Sequence, residues 1–291
     1  MRRLLTFTLV GLAAQTIDGS LGMAYGASSA TFLVAAGYAP VLVSASIHLA
    51  EVGTTVVSGL SHWRLGNVDW QVVRRIALPG AVGAFAGATL LSSVDGDAMA
   101  PWTSAILLGL GLVVLARFAF GVGANLRRRD LSRTGGAAVG LLGGVVDAVG
   151  GGGWGPIATP TLLTATKMEP RHVIGSVDTA EFLVSVAASV GFLFGIGSAG
   201  IDATVVVALL AGGVVAAPFA AWLVRRLPTS VLGIGVGGIL LLTNVRTLVR
   251  LHDVDGVYVY PVIAVGVLAA AAYTATLGAR RGSKASVGAP S

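Results

Sequence analysis

Six polar side chains recur along one apolar segment, 41–62, at spacings that place them on a single face of a helix. They are Ser44, His48, Glu51, Thr55, Ser58 and His62. A glutamate within a membrane span costs several kcal/mol unless it faces protein or water, so it usually marks a functional site. Small hydroxyl residues alone also line contacts between membrane helices. The sequence therefore points first to His48 and Glu51, a pair that can share a proton near neutral pH.

The composition is that of a helical membrane protein. Of the 291 residues, 55% are hydrophobic and 11% are charged, and the mean hydropathy is +0.85. Apolar runs of about 20 residues, the length that spans a bilayer, recur between short polar gaps. The chain has no cysteine, which excludes disulfides, thiol catalysis and cysteine-ligated metals. The net charge of +6 comes largely from arginines beside apolar segments, so membrane orientation explains it without a nucleic-acid partner.

Nine apolar segments are predicted, and the first and fifth are interrupted by clustered glycines. Segments 2, 3 and 4 span about 41–62, 72–91 and 102–120, and segments 6, 7, 8 and 9 span about 171–194, 203–224, 229–250 and 257–277. The breaks lie within Asp18–Gly26 and Asp147–Pro156. Residues 1–14 have the form of a signal peptide, but the same stretch has a counterpart later in the chain, which argues against removal. The predicted units are a first membrane repeat, a cytoplasmic linker, a second membrane repeat, a last transmembrane helix and a disordered tail. Their bounds are 1–124, 125–134, 135–256, 257–278 and 279–291.

An internal repeat relates the two halves. Asp18 matches Asp147 at an offset of 129, and Glu51 matches Glu181 at an offset of 130. At the second offset His48 falls on Asp178, and Asp178, Glu181 and Ser185 rebuild the polar face at the same helical spacing. Matched buried acids are costly, so we interpret them as functional.

The placement of basic residues predicts that the second repeat is inverted relative to the first. Gaps that contain Lys or Arg follow segments 2, 4, 5, 7 and 9, and the gaps after segments 3 and 6 contain none. All basic gaps are cytoplasmic if segment 5 is a re-entrant hairpin, since its half-helices are expected to be too short to cross about 30 Å. By symmetry segment 1 is also a hairpin, which leaves an odd number of crossings per repeat. Arg2 and Arg3 then lie outside, against the general trend.

Several strings in both halves resemble the sulfite exporter TauE/SafE family of membrane permeases. In the first half they are Asp18-Gly-Ser-Leu-Gly-Met-Ala-Tyr-Gly26, the run from Ser44 to Glu51, Ser58-Gly-Leu-Ser-His-Trp63 and Gly66-Asn67-Val68-Asp69. The second half adds Gly143 to Gly155 and Ser176-Val-Asp-Thr-Ala-Glu181. The resemblance covers nearly the whole chain. It implies a multi-pass carrier in the cytoplasmic membrane that moves small sulfur-containing or organic anions, such as sulfite or sulfonates.

An anion site needs hydrogen-bond donors. The second half-helices, starting near Gly26 and Pro156, would direct their positive N-terminal ends to the centre. Glycines there let backbone N–H groups approach an ion, and hydroxyls add donors. Simple packing of the hairpins would also explain the glycines. The predicted substrate-binding residues are Gly22, Gly26, Ser28, Ser29, Ser46, Gly151, Gly152, Gly153, Gly155, Thr159 and Ser176.

Carboxylates are poor anion ligands unless they are protonated, so the acids receive a different role. Burial disfavours the charged form of a carboxyl group, which suits a proton acceptor; capping of helix ends is the other role that the acids could fill. The predicted ion-coupling residues are His48, Glu51, Asp178, Glu181, Asp18 and Asp147. The coupling ion is H⁺, and Na⁺ remains the rival.

Other classes of protein fit less well. An intramembrane hydrolase would need a nucleophile and base or a metal site, and the chain has no H-E-x-x-H or G-x-S-x-G motif and only four dispersed histidines. We therefore predict no enzyme, no cofactor and no bound metal. The glycines at 150–155 lack the lysine and the strand–helix setting of a phosphate loop. An anion channel with the same inverted-repeat architecture is the alternative to a carrier.

Overall fold

The computed structural model describes residues 2–94, 96–120, 130–198 and 200–223, with ten single positions between 234 and 249 and residue 266. Side chains at 96–100, 118, 120 and 164 lie outside this description. The continuous ranges form nine helices: α1 Arg2–Leu21, α2 Tyr25–Ala35, α3 Pro40–Arg64, α4 Trp70–Ser92, α5 Gly96–Phe120, α6 Arg133–Gly150, α7 Trp154–Ala165, α8 Pro170–Ile196 and α9 Ala203–Leu223. Five of them, α1, α3, α4, α8 and α9, are long and apolar enough to cross a membrane. The prediction of an all-helical, multi-pass membrane protein is confirmed.

Both predicted breaks are present. Helix α1 ends at Leu21 and α2 begins at Tyr25, while α6 ends at Gly150 and α7 begins at Trp154. Gly22 and Gly151 occupy the same place in the two breaks and both have a positive φ, 66° and 71°, that glycine adopts without strain. Half of the predicted linker (125–129), the last transmembrane helix except residue 266, and the tail lie outside the described residues.

Each broken segment returns to the side from which it starts. The Arg3 guanidinium donates a hydrogen bond to the Tyr38 hydroxyl, and the rings of Phe7 and Tyr38 lie 6.3 Å apart, so the two ends of the first hairpin meet. At the second hairpin, Leu131 and Lys167 line one cavity. The first arms are longer than expected: α1 has 20 residues and α6 has 18, about 30 and 27 Å at the usual helical rise. The sequence predicts arms too short to cross for segment 5, and α6 and α7 are not among the helices long and apolar enough to cross; α1 is, because its helix continues until Gly22 ends it.

Neighbouring contacts fix the direction of the long helices. Helices α3 and α8 are antiparallel, because the early residue His48 faces the late residue Phe192 and the late residue Ser58 faces the early residue Asp178. Helix α4 runs parallel to α8, and α9 runs parallel to α3. The contacts that establish these parallel pairs are Gly80 with Val184, Gly191 with Ala88, Gly195 with Ser92, Gly53 with Leu210 and Gly213 with Thr54. The assignment of helix ends to the two faces of the bilayer, and with it the inverted topology, stays a prediction.

Glycines allow the closest helix crossings. A Cβ placed on Gly144 of α6 would lie 2.1 Å from the Gly80 carbonyl oxygen of α4, and one on Gly212 of α9 would lie 2.1 Å from the Thr8 oxygen of α1. Without water in the bilayer, close van der Waals packing of this kind holds membrane helices together. The pairs α4–α6 and α1–α9 are counterparts in the two repeats, so the same device supports both hairpins.

The crossing of α4 and α6 predicts a matched pair of glycine variants. Gly144→Ala should lower the melting temperature in detergent, because the backbone of α4 cannot move away from the new methyl group, and overpacking costs about 1–3 kcal/mol. Gly109→Ala in α5 has nothing within 4 Å of the new atom, and alanine favours a helix by about 0.5–1 kcal/mol. It should leave the melting temperature equal or higher. Equal melting temperatures for the two variants would contradict close packing at Gly144.

Topology is testable with single cysteines, since the chain has none. We expect Ala36→Cys and Ser93→Cys to react with an impermeant maleimide on intact cells, and Lys167→Cys to react only after permeabilisation. All three positions are exposed, so access to reagent is not limited by packing. The wild-type chain serves as the unlabelled control. Reaction of Ala36→Cys and Lys167→Cys from one side would exclude inverted repeats.

Candidate functional site

Two groups of buried ionisable side chains occupy the region between the hairpins and the α3–α8 pair. The first group is His48, Glu51 and Asp147, and the second group is Asp18, Asp178 and Glu181. Within each group the ligand atoms lie within 4.8 Å of one another, and every member is at most 5% exposed. The repeat relates the two groups position by position. The structure thus brings all six predicted ion-coupling residues together, in two symmetric sets.

The geometry of the first group requires a hydrogen between His48 and Asp147. The His48 Nδ1 atom lies 2.7 Å from the Ser44 carbonyl oxygen, which only accepts, so Nδ1 carries a hydrogen. The His48 Nε2 atom lies 3.0 Å from Asp147 Oδ2 and 4.0 Å from Glu51 Oε2. A hydrogen bond between Nε2 and Asp147 then requires one further proton, on either partner. Ser185 donates to Glu51 Oε2 at 3.2 Å.

The second group, like the first with Glu51 Oε1, contains a carboxyl with one unpartnered buried oxygen among the described residues. The Ser58 hydroxyl donates to Asp178 Oδ2, and His62 Nε2 lies 3.6 Å from the same oxygen. The other oxygen, Asp178 Oδ1, is buried and has no hydrogen-bond partner among the described residues. Gln15 of α1 donates to the Ser58 hydroxyl at 3.4 Å. A proton on this carboxyl would supply the donor that its surroundings lack.

Two of the acids also cap helices. Asp147 Oδ1 accepts the backbone N–H groups of Gly153 and Trp154 at 2.7 and 3.0 Å, at the start of α7. Asp18 Oδ1 lies 3.4 Å from the Tyr25 nitrogen at the start of α2. The positive ends of the second arms do point to the centre, as expected. They are already paired with carboxylates, so an anion that reached them would have to replace or accompany these side chains.

The tips of the hairpins are in direct contact. Thr159 of α7 donates a hydrogen bond to the Gly22 carbonyl oxygen, and a Cβ on Gly26 would lie 2.7 Å from the Gly152 Cα. A Cβ on Gly152, which has a φ of 153°, would lie 1.8 Å from the Ala27 nitrogen. Any side chain at Gly152 would separate the two hairpins.

Nine of the predicted substrate-binding residues lie together, and Ser46 and Ser176 lie on other helices. The nine lie at or beside the hairpin tips: Gly22, Gly26, Ser28, Ser29, Gly151, Gly152, Gly153, Gly155 and Thr159. Of these hydroxyls, Ser29 Oγ is buried without a hydrogen-bond partner in the described part of the chain. Ser176 lies apart, because its oxygen accepts the Asp69 N–H at the start of α4 at 2.8 Å. Ser46 is buried on α3, and its role as a ligand stays a prediction.

Sequence reasoning did not assign a role to His62, Ser58 or Gln15 at this site. His62 and Ser58 were visible on the polar face of segment 2. Their partner Asp178 belongs to another helix and lies 116 and 120 positions further along the chain. The register of α3 against α8, which the repeat alone does not give, brings them together. Gln15 was a lone polar residue in the apolar stretch of α1 and is 1% exposed.

A bundle of membrane-spanning helices around two facing hairpins, with buried acids at their contact, is an architecture of membrane transporters. The sequence model of the family described as sulfite exporter TauE/SafE matches residues 7–247. The chain therefore belongs to the TauE/SafE family, and it is a multi-pass transporter of the cell membrane.

Two relatives carry transporter names. The chain is 47% identical over 252 residues to "Probable membrane transporter protein YtnM" of Bacillus subtilis (strain 168), covering 86% of this chain and 84% of that protein. It is 26% identical over 175 residues to "Probable membrane transporter protein YdhB" of the same organism, covering 58% and 71%. No solved structure matches the chain.

The double role of Asp147 predicts that stability and transport separate in two variants. Asp147→Asn keeps an oxygen for the N–H groups of α7 but loses the charge, whereas Asp147→Ala loses both. Loss of a helix cap costs about 0.5–2 kcal/mol, so the alanine variant should melt at the lower temperature in detergent. Both should lose transport, if the ion-coupling role that the sequence predicts for Asp147 is correct. If the asparagine variant melts as low as the alanine variant, capping is not what Asp147 contributes to stability.

Proposed function

We propose that the protein is a proton-coupled carrier of small sulfur-containing or organic anions of the sulfite or sulfonate type. The observation that carries the proposal is the first group, where His48, Asp147 and Glu51 are buried together and require a proton between them. Membership of the TauE/SafE family supports the class of substrate. The coupling residues proposed are His48 and Glu51, with Asp147 as the partner that holds the imidazole.

Charge balance favours protonation of the site. The two groups together contain five carboxyl groups and His48, and no described lysine or arginine forms an ion pair with them. An unpaired charge in the interior of a membrane protein costs several kcal/mol, so the groups are stable only with protons or small cations on them. His48 favours the proton in the first group, because imidazole binds a proton near neutral pH.

The sign of the coupling follows from the same charges. An anion near the hairpin tips is repelled by ionised carboxylates and tolerated beside protonated ones. Anion binding and proton binding therefore favour each other, and by thermodynamic reciprocity each raises the affinity of the other. We expect anion and proton to move in the same direction.

The hairpin tips are the proposed binding place for the anion. Backbone N–H groups at the starts of α2 and α7, and the buried hydroxyl of Ser29, are the nearby donors. Protonation of Asp18 or Asp147 would weaken the caps and release those N–H groups for the anion. The caps thus connect the proton sites to the proposed anion site.

The proposal predicts that Glu51→Gln abolishes uptake driven by a pH gradient. The substitution keeps the shape of the side chain and its hydrogen-bonding capacity, but the amide cannot ionise. In proteoliposomes with labelled sulfite, initial uptake under an imposed inward pH gradient should fall at least about ten-fold, within the usual range of coupling energies. Sulfite counterflow, which needs no gradient, should survive better. Glu169→Gln is the matched control, since Glu169 is exposed and pairs with Arg171.

Three results would contradict parts of the proposal: the coupling ion, the carrier mechanism or the role of Glu51. Uptake driven by a sodium gradient and indifferent to pH would make Na⁺ the coupling ion. Sulfite flux without stimulation by counterflow would identify an anion channel. Unchanged proton-driven uptake in Glu51→Gln would assign the carboxyl an architectural role.

A further inference from the structure

Two equivalent contacts between α3 and α8, one beside each group, join different residue types. The imidazole of His48 on α3 lies against the ring of Phe192 on α8, with 5.9 Å between the centroids. At the repeat offset of 130, His48 corresponds to Asp178 and Phe192 corresponds to His62. Asp178 and His62 also meet, at 3.6 Å. The same pair of positions therefore holds histidine with phenylalanine beside the first group and aspartate with histidine beside the second.

Despite these different residue types, each group has one histidine. In the first group the histidine is itself a member, His48. In the second group that position is Asp178, and the histidine comes from the opposite helix, where the first group has Phe192. His62 is 0% exposed, and its Nδ1 atom lies 3.2 Å from the Asn67 amide nitrogen, which leaves Nε2 directed toward Asp178. Both groups thus keep an imidazole beside their carboxyl groups, at different sequence positions.

The second group needs a proton more than the first. It has three carboxyl groups where the first has two, and Asp178 Oδ1, like Glu51 Oε1 in the first group, is buried without a hydrogen-bond partner in the described structure. The charged or titratable neighbours are Glu51 on α3, Asp147 on α6 and Tyr25 on α2, with His48 behind them. Described parts of α7 and α9 contribute no titratable residue. His62 is therefore the one basic group that faces this set among the described residues.

We propose that the second group, together with His62, is a proton-binding site of its own, so that the carrier exchanges two protons, one for each repeat. The proton binds as an O–H at Asp178 Oδ1 or as the second N–H of the His62 imidazole, whose Nδ1 faces the Asn67 amide, and it returns to water from the same atom. The proposal rests on the proposed function, which assigns the coupling proton to the first group. Nothing but a proton is transferred, so the step needs no further reactant.

Two variants test whether the second group depends on a histidine at one of these two positions. His62→Phe removes the histidine of the second group. Adding Asp178→His to it gives the second group the histidine–phenylalanine contact of the first. In proteoliposomes, His62→Phe should lower sulfite uptake driven by a pH gradient about ten-fold or more, and the double variant should recover most of that loss, as expected for an interaction that depends on both positions.

An infrared titration of the purified wild-type chain tests the site without any substrate. The carboxylic C=O band reports protonated acids, and we expect it to change between about pH 5 and 8, where a histidine exchanges its proton. In His62→Phe the part of this change that belongs to the second group should be lost or moved by about one pH unit or more, and the double variant should regain it. His172→Phe is the matched control, because His172 lies in the first turn of α8 and contacts the Gly66 carbonyl oxygen.

The outcomes separate this inference from the proposed function. Wild-type titration and wild-type uptake in His62→Phe would overturn the second proton site while leaving the first intact. A titration that depends on His62, in a protein that moves no sulfite with a pH gradient, would support the site and refute the proposed function. A band that responds to Na⁺ and not to pH would overturn the proton in favour of a metal cation. If His62→Phe does not fold, His62→Gln, which hydrogen-bonds without taking up a proton, replaces it in both assays.

Discussion

The cost of placing carboxyl groups inside a bilayer governs this structure. Five acids from four helices lie within two compact groups, and each is at most 5% exposed. Helices α3 and α8 must run antiparallel at close distance for their polar faces to share these partners, and the hairpins must return to the centre for Asp18 and Asp147 to join them. The glycine crossings of α4 with α6 and of α1 with α9 support that arrangement from outside. The energetic demand of the acids and the packing of the small residues therefore select the same architecture.

The double use of Asp18 and Asp147 links electrostatics to backbone structure. Each carboxylate holds the start of the second arm of its own hairpin, and each also belongs to an ionisable group. A change of protonation at these residues acts directly on a helix end, without any intermediate element. Such a direct link between proton binding and backbone structure is what a two-state carrier requires.

Much of this could be predicted from the sequence, and the limits have physical reasons. The breaks at Gly22 and Gly151 followed from clustered glycines, and the polar face of α3 followed from helical spacing, because both are local properties. The length of α1 did not follow, since the glycines signal where a helix ends and not how far it has run. The partnership of His62 with Asp178 depends on the register between two distant helices, and no local pattern encodes it. Ser176 was predicted as a hydroxyl donor from its residue type, and its contact with the Asp69 N–H depends on how α4 packs against α8, which no local pattern encodes.

The contact between Gly26 and Gly152 also bears on the speed of the transport cycle. A gate made of side chains opens by rotamer changes on the picosecond to nanosecond scale, whereas collective motions of helices take microseconds to milliseconds. At this contact backbone meets backbone, and Thr159 also joins the tips through its bond to the Gly22 carbonyl oxygen. In the proposed carrier, opening this contact would displace a whole hairpin, and Gly37, whose φ is 91° and whose Cβ position is unobstructed, could serve as a pivot. Turnover of the proposed carrier would thus be bounded by rigid-body motion of its hairpins, and stiffening of the α2–α3 connection would slow the cycle without changing any ionisable residue.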